Sequence, residues 1–87
     1  MRKQVSPEIV DSVGDDMKMS VIHRLEQKGY GGFASIHEIL GIIAEEYKEL
    51  IDAVQANDIE GVMNELKDIG VACHFGIASR RADTLDW

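Results

Sequence analysis

Residues 36–79, IHEILGIIAEEYKELIDAVQANDIEGVMNELKDIGVACHFGIAS, decide the fold. Apolar residues recur at helical spacing from Ile36 to Ala56 and again from Ile59 to Ser79, with only Asn57-Asp58 between. Each half carries an acidic pair, Glu46-x-x-Glu49 in the first and Glu65-x-x-Asp68 in the second. On a wheel of about 100° per residue, Ile39, Ile42, Ile43, Leu50 and Ala53 fall within roughly 60° of Glu46. Glu65 likewise sits close to Ile69, Ala72 and Gly76, with Val62 to one side. Carboxylates on faces that should be buried are costly unless they are paired or bind metal. No Lys or Arg shares those stripes. The two-residue connection predicts an antiparallel helical hairpin. Within each pair the i, i+3 spacing puts both side chains on one face, about 5–6 Å apart. Glu49 and Glu65 have 15 residues between them, with the turn near the middle, so the two pairs are expected at similar heights on facing helices. Four convergent acids suit hard divalent cations, which take oxygen ligands and keep several waters.

Outward from the hairpin, local signals mark the remaining ends. Ser35 and Glu38 form a capping box for the second helix, and Asp58 caps the third. Arg80 and Arg81 suit the negative C-terminal end of the third. The stretch Gly29-Tyr30-Gly31-Gly32-Phe33 is a loop. It is no dinucleotide fingerprint, because no strand precedes it, and no phosphate loop, because no Gly-Lys-Ser/Thr follows. Before it, Ser6-Pro7-Glu8 starts a helix that Val10, Val13, Met17, Val21 and Leu25 continue and Lys28-Gly29 closes. Gly14 with Asp15 and Asp16 leaves open whether this is one helix or two. The tail from Ala82 to Trp87 has no clear pattern.

The 87 residues make one all-α domain, 1–87. Three helices do not cover both sides of an acid-bearing hairpin, so the expected architecture is a hairpin plus an N-terminal helix, completing a four-helix or larger bundle by oligomerisation. A net charge of −7 argues against non-specific binding to nucleic acid or an anionic membrane surface. The longest apolar run, Ile39 to Ala44, is far short of a membrane span. No signal-peptide core stands in the first residues, and the one cysteine, Cys73, forms no internal disulfide, so a cytoplasmic protein is expected. Cys73 follows the apolar stripe of the third helix and is expected to be a buried thiol. Gly61, Gly70, Ala72 and Gly76 are expected to allow close helix packing, and Tyr47 and Phe75 to face a subunit interface. His37 and His74 point away from the acids.

The stretch from Lys28 to Arg80 resembles the MazG-like, all-α nucleoside triphosphate pyrophosphohydrolases. The resemblance rests on EYKE, Glu46 to Glu49, followed by ELKD, Glu65 to Asp68, on apolar faces joined by a tight hairpin, with Glu45 completing the frequent double Glu. It implies homodimers or homotetramers that use Mg²⁺, with Mn²⁺ as a substitute, to hydrolyse the α–β phosphate bond of nucleoside triphosphates. Glu46, Glu49, Glu65 and Asp68 would be the metal ligands, and Glu45 would orient or deprotonate the attacking water. Relatives commonly carry phosphate-binding residues on a further helix. Here Arg80 and Arg81, a neighbouring subunit, or Arg24 and Lys28 would take that place, and Tyr30 and Phe33 are candidates for stacking on the base. Two other readings fit the sequence. One is a phosphoribosyl-ATP pyrophosphatase-like enzyme, which shares the fold and a similar acidic pattern. The other is a non-catalytic helical interaction module with a structural or degenerate metal site. A DNA-binding three-helix domain fits poorly, because the third helix has no basic face.

Overall fold

The computed structural model describes residues 2–86, so Trp87 lies outside the described residues. Three helices follow in order: α1 (Pro7–Lys28), α2 (Ile36–Gln55) and α3 (Ile59–Arg81). Each begins at an anticipated cap. Ser6 Oγ accepts from the Ile9 amide at 3.2 Å, Ser35 Oγ from Glu38 at 3.1 Å, and Asp58 Oδ1 from Gly61 at 3.0 Å. The Glu38 carboxylate reaches one residue further back than a standard capping box, accepting from the Ala34 amide. Gly14 does not interrupt α1, which is one continuous helix.

The turn between α2 and α3 closes by backbone chemistry. Asn57 adopts φ 55°. Its amide donates to the Val54 carbonyl, and the Asp58 amide donates to that of Ala53. This is the paired 6→1 and 5→2 pattern that satisfies a helix's last carbonyls. The end of α3 repeats it: Asp83 has φ 57°, Asp83 donates to Arg80, and Thr84 donates to Ser79.

α2 and α3 pack together as an antiparallel hairpin, and α1 lies against α3 alone. Val21 on α1 and Val71 and Ala72 on α3 are the buried apolar residues of the core. Two of the small residues sit at close approaches. A β-carbon on Gly76 would rest against Ile39 at 3.5 Å, and one on Gly70 would meet the terminal methyl of Met17. Gly61 does not serve helix packing, because the space beside it holds the capping carboxylate of Asp58.

Cys73 is exposed, not buried. It belongs to a second, exposed stripe on α3, with Ile59, Met63, Leu66 and Ile77 at helical spacing. That stripe turns away from α2. On α2, Leu40, Tyr47 and Val54 make a similar exposed stripe. Both lie roughly 100–160° round their helices from the residues facing α1. Ile9, Val10 and Val13 on the first half of α1 are also uncovered. The accessible surface is 6942 Å². A folded monomer of 9.7 kDa exposes about 5,100 Å². Among the described residues no helix is long and apolar enough to cross a membrane.

Candidate metal centre

The hairpin register brings three of the four acids together. Carboxylate oxygens of Glu46, Glu49 and Glu65 all lie within 4.8 Å of one another. Glu46 and Glu65 are half-buried, whereas Glu49 is exposed. Glu46 Oε2 and Glu65 Oε2 are shielded from solvent, and no donor among the described residues reaches either. An ionised carboxylate only accepts hydrogen bonds, so two facing ones leave these oxygens unsatisfied. The consequence appears in the acidity of Glu46. Its pKa is raised from 4.5 to about 7, chiefly by a side-chain hydrogen bond with the Glu65 carboxyl, which favours the protonated form, then by burial, then by the charges of Asp68, Glu49 and Glu65. A proton relieves the crowding, and so would a cation. Orphaned, convergent carboxylate oxygens are a fitting donor set for Mg²⁺ or Mn²⁺.

Asp68 behaves differently from the other three. Its Oδ1 lies 3.5 Å from Arg24 Nη2, with the two side chains 37% and 45% exposed respectively. The basic partner missing from the two apolar stripes thus arrives from α1. This corrects the expectation that all four acids lack cationic neighbours. Glu45 is exposed and outside the converging trio.

Beside the acids is a cleft of about 230 Å³ between the C-terminal half of α1, the following loop and the α1-facing side of the hairpin. Arg24 and Lys28 line it from α1, Phe33 from the loop, and Glu46 and Asp68 from α2 and α3. Val71, Ala72 and Phe75 also contribute to its lining. Three of the candidate substrate contacts therefore share a cavity with two of the acids. Tyr30 is 70% exposed and is not among the cleft-lining residues. Arg80 and Arg81 end α3, twelve or more residues past Asp68, or about 18 Å along the axis. Within one subunit they do not join the acids.

Phe33 is held in place by contacts that sequence spacing does not show. Its ring meets Phe75 edge-on, with centroids 5.2 Å apart. Phe75 therefore packs within the subunit, while Tyr47 stays 58% exposed. The Phe33 amide donates to Ser79 Oγ at 3.1 Å, and its carbonyl accepts from Thr84 Oγ1 at 2.7 Å. Ser79 is 2% exposed, and its hydroxyl donates in turn to the Phe75 carbonyl. The Asp86 amide donates to the Ala34 carbonyl at 2.6 Å. Gly32 is required at this crossing, because a β-carbon there would strike Thr84. A serine four residues after Phe75 on a helix ordinarily reads as back-bonding to its own turn. Its second role, as acceptor for a loop amide, leaves no local signal.

Comparison with known protein families, with curated proteins and with solved structures finds no match for this chain.

Proposed function

We propose that this chain is a Mg²⁺-dependent nucleotide pyrophosphohydrolase, cleaving nucleoside triphosphates between the α and β phosphates to a monophosphate and pyrophosphate. The observation that carries the reading is the pair of orphaned oxygens on Glu46 and Glu65, set beside Glu49 and next to a cleft with Arg24 and Lys28 on its other wall. Phosphoryl transfer asks the protein mainly for positioning and charge neutralisation, and needs no Ser or Cys nucleophile. Glu46, Glu49 and Glu65 would hold the cation, with Asp68 as the fourth ligand. Mg²⁺, or Mn²⁺ in its place, would supply charge neutralisation for the phosphates and Lewis acidity toward the attacking water. Arg24 and Lys28 bind phosphate oxygens, and Phe33 offers the base an aromatic ring to stack on. Glu45, on the solvent side, orients the attacking water.

The active assembly is a homodimer or homotetramer in which the exposed stripes of α2 and α3 complete a four-helix or larger bundle. The excess surface supports this: about 1,800 Å² per subunit beyond what a monomer of this mass exposes lies within the range of obligate interfaces. The test is pyrophosphate release from a panel of ribo- and deoxyribonucleoside triphosphates with Mg²⁺, with Glu65→Gln as control. Release by the wild type alone supports the reading. Silence across the panel from a metal-binding protein rejects these substrates and turns attention to phosphoribosyl-ATP.

A further inference from the structure

Resting on that metal-centre reading, we infer that Arg24 is a stand-in cation. It holds Asp68 while the carboxylates are metal-free, and transfers to substrate phosphate when Asp68 turns to the metal. Glu65 and Asp68 share one face of α3 at i, i+3 spacing, yet only Glu65 joins the converging trio. Asp68 is engaged instead by Arg24 from another helix. The pair is the guanidinium's one polar contact among the described residues. It uses a single nitrogen at 3.5 Å, with both side chains more than one-third exposed. Solvent keeps such a pair weak, so a divalent ion competes for Asp68 at little cost.

Arg24 already lines the cleft where Glu46 and Asp68 stand, beside Lys28. A guanidinium released from Asp68 keeps its planar fork of donors, which matches two phosphate oxygens at once. It cannot lose its charge near neutral pH, so it must find another anion or water. The arrangement couples the two ligands. Metal binding frees the arginine for phosphate, and phosphate that takes the arginine frees Asp68 for metal. By linkage, each then tightens the other.

The experiment is calorimetric titration of the full chain with Mn²⁺ alone, then with pyrophosphate at saturating Mn²⁺. The wild type is compared with Arg24→Gln, Arg24→Lys and Lys28→Gln, with helicity checked by circular dichroism. Arg24→Gln is expected to tighten Mn²⁺ binding by about five-fold, the scale of a part-exposed ion pair, and to weaken pyrophosphate binding about ten-fold or more. Lys28→Gln removes the same charge from the same cleft without touching Asp68, and is expected to leave Mn²⁺ affinity within about two-fold of the wild type. Arg24→Lys, the variant that keeps the charge, is expected to hold Mn²⁺ affinity near the wild-type value while still losing pyrophosphate affinity. Unchanged or weaker Mn²⁺ binding in Arg24→Gln overturns the exchange. So does equal tightening by Arg24→Gln and Lys28→Gln, which would mark a general field effect. A wild type that takes up no Mn²⁺ rejects the metal centre itself and the exchange with it, a result distinct from failure of the variants alone.

Discussion

Glu46 concentrates the conflict built into this hairpin. Its carboxyl holds a proton up to about pH 7 because Glu65 faces it, burial disfavours its charge, and Asp68 and Glu49 stand nearby. A carboxyl whose folded pKa lies above its unfolded value binds its proton more tightly when folded. The stability tied to that proton is complete below about pH 4.5 and is lost as pH rises through about 7. In chelator, the wild-type melting temperature is therefore expected to fall between pH 5 and pH 8. Glu46→Gln is expected to lose most of that slope and to melt above the wild type at pH 8. An identical slope in both proteins would place the pH response elsewhere. Saturating Mg²⁺ should also flatten the wild-type slope, because the cation takes over the role of the proton. The convergence of Glu46, Glu49 and Glu65 was legible from sequence, since helical period and a short turn are local properties. The departure of Asp68 was not, because it depends on how α1 crosses α3. Cys73 was misplaced for a related reason. α3 has two apolar stripes, and spacing alone does not say which one the subunit covers.

At the level of elements, the helix ends were the most readable part of the chain. Ser6, Ser35 and Asp58 all cap as their residue types imply, because an N-cap needs only its own side chain and an amide three residues on. The turn at Asn57 has a sharper requirement. Its φ of 55° excludes β-branched residues almost entirely. Asn57→Val is expected to cost about 1–2 kcal/mol, whereas Asn57→Gly should be neutral or mildly stabilising. Urea unfolding midpoints measure both. A valine variant as stable as the wild type would mean that the turn relaxes to another geometry, with the register of Glu49 against Glu65 free to shift. The clamp on Phe33 was invisible to this kind of reading. Ser79 and Thr84 lie 46 and 51 residues from it in sequence, and hydroxyls carry no periodic signature.

Across the whole molecule, the shape agrees with the surface excess. The radius of gyration is 14.7 Å, where a compact chain of this length has about 12 Å. Sedimentation of the wild type is expected to show a dimer or larger assembly, and Leu40→Lys on the exposed stripe of α2 to shift it toward monomer. A wild type that sediments as a monomer at micromolar concentration would reject the bundle. The all-helical hairpin could be read from sequence because its contacts are local, whereas the cleft could not, because its lining comes from all three helices and the loop. That difference also orders events in time. The hairpin's turn and caps can form from residues 35–61 alone. Beyond the local bond from the Ala34 amide to Glu38, the loop at Phe33 and Ala34 is fastened only by Phe75, Ser79, Thr84 and Asp86, so during synthesis on the ribosome this wall of the cleft is secured after the hairpin's turn has formed.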